Sequence, residues 1–275
     1  MWIWETDHWF QRIGSKKMNL KGAIKRAVLE YKYFTCRGWS LKEVGDFWDS
    51  VTDYDDINEN TYSYYRRFTN SWELAQTHVK DRMVMLDIQA RSGKGTEFWI
   101  EKGKVKKSVL ADFSDYLLSL ADARLKDKKN YYESVKVLDY RLPFKHGYFD
   151  LVATYETIEH ISDVDTFMRE LARVLKSGGI MVLTCPNILW EPMHWAAAIF
   201  EIHHSEGPHN FLRRKKLLQL FKANDLTVLN ENTTIVLPFN NPLSIKMNKK
   251  LEKVLPVTIL RLIGLRRSFV LKKMR

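Results

Sequence analysis

Tyr155-Glu156-Thr157-Ile158-Glu159-His160 puts two carboxylates and an imidazole on one short stretch. On a helix, Glu156, Glu159 and His160 stand at i, i+3 and i+4 and share a face. Such a trio can take a proton from a reacting group, because the ordinary pKa of histidine is near ~6.5. It can also ligate a divalent metal ion. In a purely structural role, Glu159 and His160 cap the helix that follows. A second cluster is Trp190, Glu191, Met193, His194 and Trp195, followed by His203, His204, Glu206 and His209. Its aromatic and methionine side chains suit an apolar substrate wall. The spacing of its histidines matches no specific metal site, so surface or hydrogen-bonding roles are expected of them.

Three acids lie at or near the ends of apolar runs: Asp87 in Met83–Ile88, Asp112 after Val105–Ala111, and Asp139 after Val135–Leu138. Gly93 and Gly95 follow the first run, and Asp112 comes 19 residues after Gly93. An acid at about that distance, ending the second strand, is placed to accept hydrogen bonds from ribose hydroxyls. Phe113 would then cover an adenine face and Asp139 meet an adenine edge. One acid at a strand end is ordinarily a cap or a turn residue; the ordered set points to a nucleoside.

The elements that must position these residues alternate. Strands are expected at 83–88, 105–111, 135–138, 149–154, 180–185 and 226–229, with a possible last one at 267–271. Helices are expected at 62–79, 114–125, 163–175 and 213–222, with Ser114 as an N-cap. Strands alternating with helices imply a mostly parallel sheet covered on both faces. In such α/β sheets ligands bind at the carboxyl ends of the strands. Residues 1–50 read as an N-terminal helical extension, 51–237 as the main domain, and 238–275 as a basic amphipathic insertion with the last strand.

The chain has 275 residues and a net charge of +11. Ten Lys and Arg face one acid over 241–275, whereas 51–240 holds 25 against 26. A uniformly basic nucleic-acid surface would look different, so no nucleic-acid partner is expected. The basic tail interleaves charge with Leu255, Val257, Ile259, Leu260, Leu262, Ile263 and Leu265. That mixture suits an anionic membrane surface or an amphipathic substrate, or else a solvated helix packed on its own domain. Two cysteines make no disulfide framework, and no secretory signal or membrane span is visible. A cytoplasmic protein is expected, at most touching the inner face of the membrane.

The segments LDIQARSGKGTEFW, LADFSDYLLSLADARL, LDYRLPFKHGYFDLVATYETIEHISD and LARVLKSGGIMVLTCPN resemble class I S-adenosylmethionine-dependent methyltransferases. Among these the chain is similar to the small-molecule enzymes of ubiquinone and menaquinone biosynthesis. The resemblance implies a Rossmann-like seven-stranded sheet and S-adenosylmethionine as cofactor. It implies that Asp87 to Gly93 cradle the methionine portion, Asp112 holds the ribose, Phe113 flanks the adenine, Asp139 and Tyr140 meet its edge, and Tyr155 lies near the methyl group. It also points to His209 on the substrate side, and associates the E-x-x-E-H trio with a metal in some relatives. The family's Asp-x-Gly-x-Gly-x-Gly appears here as Asp87, Gln89, Arg91 and Gly93, so two glycines are replaced. Arg91 can then pair with the cofactor carboxylate.

Methyl transfer to a small or lipid-like acceptor, at oxygen, is the expected activity. A non-catalytic protein of the same fold, binding a partner or membrane through its basic end, is the alternative that the altered glycines raise. RNA or protein methylation is a further one. A nicotinamide enzyme is disfavoured, because Gly93-Lys-Gly95-Thr-Glu-Phe98 lacks the third glycine of that fingerprint.

Overall fold

The computed structural model describes residues 20–59, 61–200 and 205–275. Trp2, Trp4, Trp9 and Phe10, which the sequence suggests as partners of residues 238–266 in a lid or membrane-surface patch, lie outside them, as do His203 and His204. Four helices precede the sheet: α1 (Leu20–Tyr31), α2 (Leu41–Asp49), α3 (Tyr54–Asn58) and α4 (Tyr62–Ala75). Then come β1 (Met83–Ile88), α5 (Lys94–Glu101), β2 (Val105–Asp112), α6 (Asp115–Arg124), β3 (Tyr132–Lys136), β4 (Phe149–Tyr155), α7 (Val164–Val174) and β5 (Leu175–Pro186). The chain continues through α8 (Glu191–Ile199), α9 (Arg214–Ala223), β6 (Leu226–Thr234), α10 (Pro242–Val254), α11 (Val257–Ile263) and β7 (Arg266–Lys273).

The seven strands form one sheet in the order β3-β2-β1-β4-β5-β7-β6. β3 to β5 pair in parallel, while β7 runs antiparallel to both β5 and β6. The strand order reverses between β1 and β4, so the crevice beyond their carboxyl ends is the place for a ligand. β1 and β4 are apolar along both faces and almost wholly buried, as a sheet covered on both sides requires.

Local chemistry fixes the helices that matter for the site. Ser40 and Glu43 form a reciprocal capping box at the start of α2. Ser114 caps α6 through the Leu117 amide, as expected. Its hydroxyl also donates to Asp49 at the end of α2, 2.5 Å away, and Asp49 accepts the Tyr116 amide as well. α2 is thereby clamped onto α6, across the carboxyl end of β2. Gly45 makes the close approach possible, since a Cβ there would stand 2.1 Å from the Phe113 carbonyl oxygen. The N-terminal helices are therefore part of the site's wall.

Two segments differ from the expectation. β3 ends at Lys136, so Asp139 lies beyond the strand. The segment after β4 is no regular helix: only Ile158–His160 form a single 3-10 turn. Glu156 takes a left-handed φ of 54°, so Glu156, Glu159 and His160 do not share one helical face.

Candidate active site

The loop after β1 keeps the shape that glycines would give it. Gln89 and Arg91 both have φ of 54°, and Gly93 has φ of 78°. A non-glycine residue there costs about 1 kcal/mol or more. The surroundings hold the strain: Ala90 donates to the Ala111 carbonyl (3.2 Å), and Gly93 to the Ala90 carbonyl (2.9 Å). Gly95, in the first turn of α5, is pressed between the strand ends: a Cβ there would lie 2.9 Å from Asp87 Oδ2 and 3.0 Å from the Tyr155 ring.

The two strand-end acids are buried. Asp87 accepts from Thr96 Oγ1 at 2.9 Å, and burial pushes its carboxyl up to about 7. Asp112 is 0% exposed. Its Oδ2 accepts the Arg91 amide (2.7 Å), and its Oδ1 accepts the amides of Phe113 (2.7 Å) and Ser114 (3.0 Å). Burial raises its pKa despite the Arg91 charge and those amides. Phe113 is buried beside it. Asp139, by contrast, is exposed and accepts the Arg141 amide at 2.8 Å. Tyr140 is half-buried, and its hydroxyl shares a hydrogen bond with Ser162 and accepts the Asp163 amide. Neither is drawn into the Asp87–Asp112 cluster.

Tyr155, at the end of β4, accepts a hydrogen bond from Trp99 Nε1 (2.7 Å) and packs edge-on against Phe68. Burial raises its phenol well above the usual range, so it is neutral. His160 is buried, and its ring stands edge-on to Trp48. Its Nδ1–H donates to the Pro208 carbonyl at 3.0 Å. Burial, with Arg91 nearby, lowers its pKa to about 3. Burial, with Glu156 beside it, raises Glu159 well above the carboxylate range. Glu156 Oε2 pairs with Arg266, while its Oε1 has no partner among the described residues. Among those residues no group of three or more His, Cys, Asp and Glu is placed to hold a metal ion.

His209 is buried and stacked on Trp195, with ring centres 4.4 Å apart. Its Nδ1–H donates to the Gly207 carbonyl, and Nε2 has no partner. It lies 6.4 Å from the His160 ring, centre to centre. His194 faces Glu206 at 3.5 Å. Of the segment after β5, His194, Glu206 and Phe211 reach a central cavity.

This cavity lies beside the loop after β1, lined among others by Trp48, Tyr54, Arg67, Arg91, Glu156 and Arg266. Its volume is about 30 Å³, room for one or two waters. The Arg91 guanidinium lies over Trp48 and donates to the Glu156 carbonyl at 3.2 Å. Gln89 is buried with both amide atoms unpartnered among the described residues, as are Nε and Nη1 of Arg91. These orphaned donors and acceptors, with the buried acids and the left-handed loop, fit S-adenosylmethionine in chemistry. In space the Gln89 and Arg91 side chains fill the cradle, so admitting a nucleoside requires Arg91 and its Trp48 cover to shift.

Sequence reasoning missed Trp48, Tyr54, Arg67 and Arg266. Arg67 had a signal: with Tyr64, Phe68, Ser71 and Ala75 it forms the buried stripe of α4, and an arginine on such a stripe is exceptional. Arg266 enters from the far end of the chain and carried no local signal.

Residues 86–183 match a sequence family described as a methyltransferase domain. The ubiquinone/menaquinone biosynthesis C-methyltransferase of Burkholderia vietnamiensis is 28% identical over 161 residues. That match spans 58% of this chain and 66% of the relative, a little under two thirds of its length. Among solved structures, geranyl diphosphate C-methyltransferase from Streptomyces coelicolor, in complex with Mg2+, geranyl diphosphate and S-adenosyl-L-homocysteine, superposes with a TM-score of 0.61 at 12% identity, over 86% of this chain and 99% of its own. The [4+2]-cyclase SpnF gives 0.61 at 14% identity, over 85% and 96%. Residues 86–183 therefore resemble a methyltransferase domain, on a fold shared with the solved structures above.

Proposed function

We propose that the chain is an S-adenosylmethionine-dependent methyltransferase acting on a small or lipid-like acceptor, at oxygen. The observation that carries this reading is the Gly93–Gly95 turn between the buried carboxylates Asp87 and Asp112, at the reversal of strand order and inside the matched domain. Asp112 and Phe113 take the ribose and adenine, with Asp139 and Tyr140 at the nucleoside's outer edge. Asp87, Gln89 and Gly93 cradle the methionine portion, Arg91 pairs with its carboxylate, and Tyr155 flanks the methyl group.

When bound, S-adenosylmethionine supplies an electrophilic methyl on a sulfonium sulfur. The chain's own part is alignment and the exclusion of water. Trp48 and Tyr54 line the cavity together with His194 and Phe211 of the segment after β5. A hydroxyl acceptor also gives up a proton. His160, with a conjugate acid near 3, is a weak base for that step. Glu156 keeps Oε1 unpartnered beside the cavity, which makes it the better base of the trio. A carbon acceptor is the second reading, favoured by the names of the curated relatives and by that weak imidazole.

The lipid-like acceptor is supported by α10 and α11. β6 runs parallel to β5, through β7, so both helices rise at the same end of the sheet as the crevice. Leu243 and Leu262 are each 67% exposed. Exposed lysines 246, 249, 250 and 253 flank them. No helix of the described residues is long and apolar enough to cross a membrane, so contact would be peripheral, with the body in the cytoplasm at the inner membrane face.

Calorimetric titration with S-adenosylhomocysteine, with Asp112→Ala as control, tests the reading. Micromolar binding that the variant loses is expected. No binding at millimolar ligand would favour the non-catalytic alternative.

A further inference from the structure

Two guanidinium groups line the central cavity without a carboxylate partner among the described residues. One is Arg91. The other is Arg67, only 6% exposed, on the buried stripe of α4. Arg67 makes no side-chain hydrogen bond and no ion pair there, and its Nε is buried and orphaned. It is held instead by aromatic faces, 4.6 Å from the centre of the Tyr64 ring and 6.0 Å from that of Phe68. A buried charge left in this state is costly. Glu156, and more weakly Glu206, stabilise the charge at a distance, but neither carboxylate bonds to the guanidinium. Glu156 is taken by Arg266, whose Nε also donates to Ser63 on the same helix as Arg67. Burial works against the charged form of Glu159. Glu206 faces His194.

We propose that Arg67 binds an anionic group of the methyl acceptor, a carboxylate or a phosphate. The inference rests on the methyltransferase reading above. S-Adenosylmethionine brings one carboxylate, and Arg91, on the cofactor loop, is the group placed to receive it. The second guanidinium is then left for the other reactant. Its planar fork of donors matches a carboxylate or a phosphate in two parallel hydrogen bonds. Tyr54 and Trp48, on the same cavity, offer the acceptor's body an apolar wall.

The test uses the full chain, with Arg67→Gln and Arg67→Lys compared with the wild type. Inorganic phosphate, pyrophosphate and benzoate are titrated calorimetrically as probes, alongside S-adenosylhomocysteine and 5′-methylthioadenosine, which lacks the amino-acid portion. Circular dichroism checks the fold of each variant. At least one anion is expected to bind the wild type, to lose tenfold or more in affinity in Arg67→Gln, and to recover only part of that loss in Arg67→Lys, which keeps the charge without the fork. S-Adenosylhomocysteine is expected to stay within threefold in both. The proposal is overturned if no anion binds the wild type, or if anion affinity is the same in Arg67→Gln. It is also overturned if Arg67→Gln weakens S-adenosylhomocysteine tenfold while 5′-methylthioadenosine is unchanged, which would assign Arg67 to the cofactor carboxylate. Arg67-dependent anion binding in a wild type that ignores S-adenosylhomocysteine would overturn the methyltransferase reading, and the acceptor assignment with it, while leaving the anion site.

Discussion

The Arg91 guanidinium carbon lies 3.7 Å from the centre of the Trp48 ring. Arg91 stands where the cofactor loop ordinarily has glycine, and Trp48 comes from a helix that the loop meets only in the folded chain. The contact is a cation–π pair in a desolvated place, worth about 2 kcal/mol. It stores the arginine against the aromatic wall until a better partner arrives. A carboxylate with charge-assisted hydrogen bonds is such a partner. Arg91→Gly is therefore expected to weaken S-adenosylhomocysteine about tenfold or more relative to 5′-methylthioadenosine, which lacks the carboxylate. Parallel titrations of the two ligands read this directly. An equal loss for both would mean that Arg91 shapes the loop and does not touch the carboxylate.

Gln89→Gly should act in the opposite direction. Gln89 holds φ of 54° and buries an amide with no partner. Glycine removes a strain of about 1 kcal/mol and an orphaned amide of about 1–3 kcal/mol. It adds back roughly 1 kcal/mol of unfolded-chain entropy and loses the packing of the side chain. The melting temperature is expected to hold or rise, and S-adenosylhomocysteine to bind at least fivefold tighter. Thermal melts and calorimetry check both halves.

The difference between these two positions shows what was legible. The loop's backbone could be foreseen from Asp87, Gly93 and Asp112, because strand ends and glycine turns leave local traces. So could the Ser114 cap and the alternation of strands and helices, which rest on periods of two and 3.6. The side chains that fill the loop could not, since Trp48, Arg67 and Arg266 reach it through tertiary packing. The Glu156–His160 stretch misled for a related reason. Its i, i+3, i+4 spacing is helical, but the left-handed Glu156 and the Thr184 carbonyl that accepts its amide (3.1 Å) hold the chain in a bend.

Glu156 and Arg266 form a buried pair, 9% and 14% exposed at the side chain. Burial lowers the Arg266 pKa, and Glu156 works against that. Removing one partner strands the other charge. Glu156→Gln is expected to cost about 3–5 kcal/mol of stability. Glu156→Gln combined with Arg266→Met should recover most of it, because the double variant buries no lone charge. Urea unfolding of the four proteins closes the cycle. A double variant as weak as Glu156→Gln would show that the pair matters through packing alone.

Asp87 makes stability depend on pH in a defined direction. Its folded pKa, about 7 against an ordinary 3.8, means the folded state holds the proton more tightly. That stabilisation is fully present below pH ~4 and is lost as pH rises to ~7. His160 pulls the other way, because its pKa is lowered to about 3 from 6.5. Its contribution is present above pH ~6.5 and fades as pH falls towards ~3. The informative quantity is therefore the difference between Asp87→Asn and the wild type. Asn keeps the shape without the titration, so its melting temperature should gain on the wild type between pH 4 and 7 and run parallel above. A flat difference across that window would show that Asp87 ionises normally.

The exposed face of α10 and α11 makes the last prediction. Leu243, Met247, Val254, Val257 and Leu262 are all exposed, with four lysines of α10 around them. Isolated apolar residues on a surface need no explanation, but a basic-rimmed group of them does. An anionic bilayer rewards both the apolar group and its basic rim, through apolar insertion and about 1 kcal/mol for each lysine near the surface. Vesicles containing anionic lipid should carry the protein upward in a flotation gradient, and neutral vesicles should carry much less. Salt should weaken the association, since the electrostatic part is screened within about 10 Å at 0.1 M. Leu243→Ser with Leu262→Ser should release the protein at every salt concentration, whereas Lys249→Gln with Lys250→Gln should release it mainly from the anionic vesicles. Neither pair touches the crevice residues, so S-adenosylhomocysteine binding should stay at the wild-type value. A protein that never floats would mean that the face packs against something other than lipid, and the acceptor would then have to be sought among water-soluble molecules.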